Sequence, residues 1–586
     1  MIQGRISRIS GPVVQAAGME GIKIRDLVEV GDLGLIGEVI EIKGGEIAIQ
    51  VYEDTDGLKA GEPVKSEQKP FLVQLGPGLL GSIYDGIQRP LEIIRDQTGS
   101  FIRRGATGDP LSKTKQWHFV PLKAAGDSVV PGDAVGWVQE GPTIQHKILV
   151  PEGVEGRIAS IAEGDFTIEQ AVAQLEGRDA PLYMVQPWPI RRPRGYAEKV
   201  ATNSPLLTGQ RIFDSFFPVP KGGSAIIPGP FGSGKTVSQQ ALAKWSNAQV
   251  VIYVGCGERG NEMTEVLTEF PHLEDPNTGA PLMNRTILIA NTSNMPVAAR
   301  ETSIYTGITL AEYYRDMGYD VALFADSTSR WAEALREISG RLEEMPGEEG
   351  YPTYLASRIA EFYERSGSVI CLGGDRRQGS VTAIGAVSPP GGDFSEPVTQ
   401  NSLRIAGAFW GLDARLAYSR HFPAINWLTS YTLYLDALRG WYSHEVAPDF
   451  LDLRTELLDI LQREDELRKI VQLVGRESLS EPDKLLLDIA RTTREDFLRQ
   501  SAFHEVDAYC PIKKQYDMMK AILVFYHHCQ SLLGTAPFDD ISRLGGWESL
   551  AKMRYIPNDN FDAPFQGLLQ ELAAEAPQSA ATGTRS

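Results

Sequence analysis

One stretch, residues 225–245, restricts this chain more than any other. It reads Ala-Ile-Ile-Pro, then Gly229-Pro230-Phe231-Gly232-Ser233-Gly234-Lys235-Thr236, then Val237-Ser-Gln-Gln-Ala-Leu-Ala-Lys-Trp. An apolar β-rich run, a loop with three glycines and a helix-forming run follow in that order. The backbone must therefore turn sharply from a strand into a helix. Glycines let successive N–H groups point into one concavity at the helix N-terminus, where the helix dipole also favours anions. A strand–loop–helix of this kind belongs to a RecA-like α/β core built on a parallel sheet.

The surrounding sequence agrees. Between about 200 and 435, apolar β-rich runs alternate with helical stretches, which predicts a parallel sheet covered by helices. The candidate strands are 225–227, 250–254, 286–290, 321–325 and 368–372. Upstream, short β-branched runs at 2–9, 27–30, 35–40 and 46–52 are punctuated by Gly or Asp and predict a small closed barrel. Residues 111–185 stay strand-like and rich in Gly and Pro, as a second β unit inserted ahead of the main domain. The linker Pro187-Trp-Pro-Ile-Arg-Arg-Pro-Arg is stiffened by its prolines. Past about 436, apolar residues recur at three- and four-residue spacing and predict helices. The domain plan is thus a barrel over 1–70, the core over 71–110 and 186–435, the β insert over 111–185 and a helical region over 436–575. Residues 576–586 have little to bury and are expected to be disordered.

The loop pattern implies chemistry. Residues 229–237 would cradle the phosphates of ATP or ADP, with the Lys235 ammonium on the β- and γ-phosphates and the Thr236 hydroxyl on Mg²⁺. An accidental match is set aside because strand and helix stand where the pattern needs them. The apolar run 321–325 ends in Asp326, at the edge where open parallel sheets bind ligands. Asp326 is expected to hold the Mg²⁺ water shell; the plain alternative is a helix N-cap, since Trp-Ala-Glu-Ala-Leu soon follows. The run 250–254 leads into Gly255-Cys-Gly-Glu258-Arg259-Gly260-Asn-Glu262. Hydrolysis needs a water oriented in line with the γ-phosphorus, and Glu258 is the carboxylate chosen to place it. Glu262 is the alternative, and Arg259 either pairs locally or approaches phosphate.

Charge and cysteine usage remove other classes. The 586 residues carry 57 basic and 76 acidic side chains, a net charge of −19 that argues against nucleic acid as the main partner. Four scattered cysteines show no metal-ligand spacing and read as reduced thiols. The N-terminus lacks the shape of a signal peptide and no run of 18 apolar residues occurs, so membrane association is expected only through other subunits.

Four segments together carry a family resemblance: Pro228-Gly-Pro-Phe-Gly-Ser-Gly-Lys-Thr, Gly255-Cys-Gly-Glu-Arg-Gly-Asn-Glu-Met, Ala325-Asp-Ser-Thr-Ser-Arg-Trp-Ala-Glu-Ala-Leu-Arg-Glu-Ile-Ser and Gly385-Ala-Val-Ser-Pro-Pro-Gly-Gly-Asp-Phe-Ser-Glu-Pro. They resemble the catalytic A subunit of V/A-type rotary ATPases, and the 111–185 insert is similar to that family's bulge domain. The resemblance implies an alternating A3B3 hexamer with a non-catalytic B subunit. It also implies a central rotor shaft, peripheral stalks and a membrane sector that moves H⁺ or Na⁺. ATP hydrolysis or synthesis would then occur at an interface to which the neighbour adds an arginine. The resemblance assigns Lys235 and Thr236 to phosphate and Mg²⁺, Glu258 to catalysis, Asp326 to the metal, and Phe422 and Phe503 to the adenine pocket. For both phenylalanines ordinary core packing is the alternative. The segment Gly373-Gly-Asp375-Arg376-Arg377-Gln378-Gly379 is more basic than expected there, which bears on contacts with a shaft or neighbour.

Other classes share such a core. A hexameric RNA translocase needs exposed aromatics on its N-terminal fold, whereas residues 1–70 hold only Tyr52. A non-catalytic nucleotide-binding subunit typically lacks the lysine–threonine pair or the glutamate, and all three stand here. Export ATPases of the flagellar type are expected to lack the 111–185 insert.

Overall fold

The computed structural model describes residues 2–99, 102–177, 181–230, 232–275 and 278–575. They fall into two compact units that interleave along the chain. One comprises Met1–Ala201, Lys221–Ile226 and Ala248–Ala406; the other comprises Thr202–Pro220, Ile227–Asn247 and Gly407–Ser586. The expected disorder of 576–586 falls outside the described residues.

In the first unit, the strands Ile2–Ser10, Val13–Ala17, Asp26–Val30, Leu35–Lys43, Glu46–Val51 and Pro63–Pro70 close into a barrel. Alternate residues face its interior, where Ile6, Val14, Val28, Val39, Ile49 and Val64 form the core. Closure leaves no strand edge unpaired. Tyr52 is buried, and its hydroxyl donates to Glu38 at 3.0 Å, so it offers no exposed stacking face. The inserted β region forms two four-stranded sheets. One is built on Ala134–Glu140 and Ile144–Leu149, the other on Gly156–Ile161 and Ala171–Leu175.

The parallel sheet of the same unit runs Ile83–Tyr84, Thr286–Thr292, Val250–Glu258, Asp320–Asp326, Gln378–Val387. One expected member stands differently. Residues 368–372 are expected in the parallel sheet, but Gly367–Ile370 is an antiparallel partner of Gln378–Val387, which is itself the parallel member. Gln378–Val387 lacks an apolar run because its neighbours come too close for side chains. A Cβ on Gly379 would strike the Arg315 carbonyl, and one on Gly385 the Tyr363 hydroxyl. Small residues in a doubly covered strand hide the hydrophobic signal.

The helix Val297–Asp316 lies against this sheet with eighteen of its twenty residues buried. It carries polar groups into that burial, where arginines meet its acids. Arg365 holds Glu312 at 2.6 Å, Arg194 holds Asp316 at 2.5 Å, and Arg191 holds Glu301 at 2.6 Å and Glu38 at 3.1 Å. Near its C-terminal end, His146 stands 2.6 Å from Glu140 and 2.8 Å from the Tyr313 hydroxyl, all of them buried. The linker arginines and the β insert are thereby pinned to this helix. Arg377, from the basic loop, is used internally as well: it donates to the carbonyls of Asp316 and Gly132 and pairs with Asp375.

In the second unit, the helices Leu435–Glu445, Phe450–Val474, Glu481–Thr492 and Ile512–Leu532 pack Leu457, Leu461, Leu485, Ile489, Met518, Ile522 and Phe525 into one core. Arg211, fully buried, pairs with Asp507 at 2.7 Å and donates to the Arg499 carbonyl at 2.9 Å. Asp214 accepts from Thr208 N–H and hydroxyl and from Gly209 N–H. Burial nonetheless pushes its carboxyl up to about 6.

Candidate active site

In the second unit, the loop after the strand Ser224–Pro228 leads into the helix Lys235–Trp245. Gly232 and Gly234 take φ of +77° and +89°, a left-handed region that side chains rarely adopt. Gly229 is required for space instead, since a Cβ there would come within 2.6 Å of Leu412 Cβ. Ser233 Oγ donates to the Pro230 carbonyl at 2.7 Å and closes the bend. The N-cap of the helix is Gly234, which has no side chain to place on the first-turn amides. Those N–H groups and the dipole make an anion-binding end. The Lys235 ammonium arches over the loop and donates to the carbonyls of Gly229 at 2.9 Å and Pro230 at 3.2 Å. Thr236 is half-buried and Val237 exposed; Phe231 lies outside the described residues.

The two candidate adenine residues belong to this unit. Leu412 N–H bonds the Pro228 carbonyl, Asp413 N–H the Ala424 carbonyl, and Gln500 N–H the Phe422 carbonyl. Phe422 and the segment after Gln500 are thereby tied to the strand that feeds the phosphate loop. Phe422 is half-buried, while Phe503 is 101% exposed and packs in no core. Trp245, closing the loop's helix, stacks on Tyr509 at 5.3 Å, a contact that local sequence does not reveal.

In the first unit, the strands Val250–Glu258 and Asp320–Asp326 run parallel, with Gly255 beside Asp326. Asp326 is buried at its strand's end and accepts from the Tyr253 hydroxyl at 3.0 Å. Asp326 is not the helix cap; Ser327 takes that position ahead of Thr328–Arg341. Sequence reasoning missed Tyr253. Its position two residues before Gly255 puts it on the face of Asp326, which only strand register discloses.

Glu258 ends its strand half-buried, and its carbonyl accepts from Ser293 N–H at 2.8 Å. Its carboxyl is pushed up to about 9, first by burial, then by the charge of Asp326 and by Glu262, with Arg330 opposing. Glu262 sits in the first turn of the helix Gly260–Glu269, and Arg259 is the exposed N-cap residue of that helix. Gly257, with φ +71°, admits no side chain, because a Cβ would stand 2.7 Å from Arg300 Cδ and 2.9 Å from Arg330 Cβ. Among the described residues, no group of three or more His, Cys, Asp or Glu side chains is arranged to hold a metal.

Comparison with known proteins gives this geometry its family. Residues 209–432 match the nucleotide-binding domain of the ATP synthase alpha/beta family, and residues 6–67 match that family's β-barrel domain. Residues 108–191 match the ATP synthase alpha/beta subunit barrel-sandwich domain, and residues 439–540 the C-terminal domain of V and A type ATP synthase. The A subunit of the A-type ATP synthase of Methanopyrus kandleri is 59% identical over 576 residues, covering 97% of each chain. The V-type ATP synthase alpha chain of Clostridium novyi is 55% identical over 579 residues, covering 98% of this chain and 97% of its own. The chain belongs to the family of catalytic A subunits of A- and V-type ATP synthases. As a member it is a nucleotide-binding part of a multisubunit ATP-hydrolysing or ATP-synthesising enzyme. The assembled ATPase EscN of the enteropathogenic E. coli type III secretion system shares the fold, with a TM-score of 0.64, 19% identity and coverage of 89% of this chain and all of its own. No helix among the described residues is long and apolar enough to cross a membrane.

Proposed function

We propose that Lys235, Thr236, Glu258 and Asp326 carry the reaction of this family member, each in the role its local frame supports. The observation that carries this reading is a glycine-bent loop leading into a helix whose N-cap is Gly234, with Lys235 arched over it. Polyphosphate binds the amides of residues 232–236, and Lys235 exchanges its loop carbonyls for phosphate oxygens. Glu258, at the end of its strand and behind a glycine pair, orients the attacking water. Arg259 contributes positive charge toward phosphate. Phe422 and Phe503 stack on the adenine.

Mg²⁺ fits the donors available. Thr236 offers a hydroxyl and Asp326 a carboxylate, both hard oxygen ligands, and no protein-only cage is present among the described residues. Mg²⁺ keeps several waters and is commonly held by one or two protein groups together with phosphates. When bound, it would supply charge that neutralises the phosphates. Tyr253 holds the Asp326 carboxylate in place for it.

The chain works in an alternating A3B3 ring with a B subunit that completes the site by an arginine. The ring sits peripherally on the cytoplasmic side of a membrane, around a rotor shaft and beside stalks, and couples ATP turnover to H⁺ or Na⁺ movement. The domain plan read from the sequence, including the 436–575 helical region, belongs to this proposal. The test is native mass and Mg-ATPase rate of the tagged chain drawn from its own cells. Three copies with three of a second protein, active only when assembled, support it. A six-fold ring of this chain alone, stimulated by RNA, overturns it.

A further inference from the structure

Within the first unit a cavity of about 760 Å³ lies between the linker residues 191–199, the helix Val297–Asp316 and the helix Leu355–Glu364. That volume is within the range of small-molecule sites. Its lining holds six cationic and three acidic side chains, in a chain whose net charge is −19. Part of this charge is committed, since Arg365 holds Glu312 and Arg191 holds Glu301. Other donors remain for the cavity. Among the described residues, Arg358 spends one N–H on Glu361 at 2.8 Å, Lys199 one on the Glu364 carbonyl at 3.1 Å, and the Arg25 side chain makes a long contact of 3.4 Å to Glu38.

Tyr305 is the second, independent observation. It lines the cavity at 3% exposure, yet its hydroxyl has no hydrogen-bond partner among the described residues. Buried polar groups are nearly always partnered, so an orphan hydroxyl on a cationic wall marks a place for an acceptor. Its ring packs against the Arg191 guanidinium at 4.7 Å. Burial pushes the phenol up to about 12, so it remains a donor across the physiological range.

We propose that this cavity binds a small polyanion of the phosphate class, its charge met by Arg358, Lys199 and Arg25 and one oxygen accepting from Tyr305. The site contains none of the residues assigned to catalysis and stands apart from those assignments. The volume suits pyrophosphate or a nucleotide better than a single phosphate.

The test is calorimetric titration of the full chain carrying Lys235→Ala, which weakens the phosphate loop, with inorganic phosphate, pyrophosphate and ADP as separate probes. Saturable pyrophosphate binding is expected, weakened about tenfold by Arg358→Gln and severalfold by Tyr305→Phe, which keeps the ring and loses only the hydroxyl. Lys199→Ala, at an exposed position, gives the same direction should Arg358→Gln fail to fold. ADP binding no tighter than pyrophosphate supports a site for the phosphates alone, and ADP binding tenfold tighter supports one that also takes the base. Absence of pyrophosphate binding in the Lys235→Ala chain, or binding unmoved by all three substitutions, overturns the proposal.

Discussion

The phosphate loop and the carboxylate strand ends are built from opposite materials. The loop is mostly backbone: Gly232 and Gly234 bend it into open space, with nothing within 4 Å of an added Cβ, and its one charge, Lys235, has carbonyls to donate to. The strand ends are side chains in conflict. Glu258 is half-buried beside Asp326 and Glu262, and its carboxyl rises to about 9. Gly257 there is needed for room against Arg300 and Arg330 as well as for its backbone angle. The loop is thus conformationally demanding but electrostatically calm, whereas the strand ends add a conflict of charge to a glycine constraint of their own. Stability is surrendered where the carboxylates are gathered.

That contrast can be broken at several points. The largest expected effect is on turnover: Glu258→Gln lowers kcat of the assembled enzyme by about 10²–10⁴-fold while nucleotide affinity stays near wild type. Equilibrium nucleotide binding beside steady-state rates checks this, and a matching loss of affinity would place Glu258 in binding instead. Lys235→Ala is expected to cost both, with turnover down by at least about 10²-fold and nucleotide binding visibly weakened. Phe503→Ala should weaken adenine nucleotides by about 5- to 150-fold through lost stacking. Because the ring is fully exposed, its unfolding midpoint should not move.

The smallest effect is the most discriminating. Glu258 has a folded pKa of about 9, above its ordinary value of 4.5, so its stabilising share is full below pH 4.5 and drains away as pH climbs toward 9. Glu258→Gln should therefore stabilise the nucleotide-free chain at pH 8, by on the order of 1–3 kcal/mol, with the gain vanishing near pH 4.5. Denaturant titrations at both pH values check it, and a gain that does not depend on pH would remove electrostatic conflict as its cause. Gly232→Ala provides the counterpart in the loop, costing about 1 kcal/mol at every pH, from backbone strain alone.

What could be read beforehand follows the range of the interaction. The phosphate loop, the barrel strands and the helical C-terminal region were legible because each is specified by residues a few positions apart. Asp326 was legible as a strand-end carboxylate, whereas Glu258 was expected on an exposed turn beyond residue 254 and instead closes a strand that runs on to 258, half-buried. Tyr253 was not legible, since its bond to Asp326 depends on which residues of two strands lie side by side. Gln378–Val387 was missed because close neighbours replaced its apolar side chains with Gly, Ser and Ala. The helix Val297–Asp316 escaped amphipathic analysis for a related reason. It is covered all round, so it has no polar face to mark its period. Asp316 has a local partner in Arg315, but buried Glu301, Glu312 and Asp316 also answer to Arg191, Arg365 and Arg194, partners that no local window contains.

That helix has one more consequence. Twenty residues at 1.5 Å each make a rod about 30 Å long. At one end Arg300 gives its carbonyl to the Cys256 thiol, two residues before Glu258; at the other the Met317 carbonyl receives Lys147 of the β insert. Sheathed on every side and packed at interior density, it has little give along its length. It ties the β insert to the strand Val250–Glu258 through one stiff element, bonded at both of its ends.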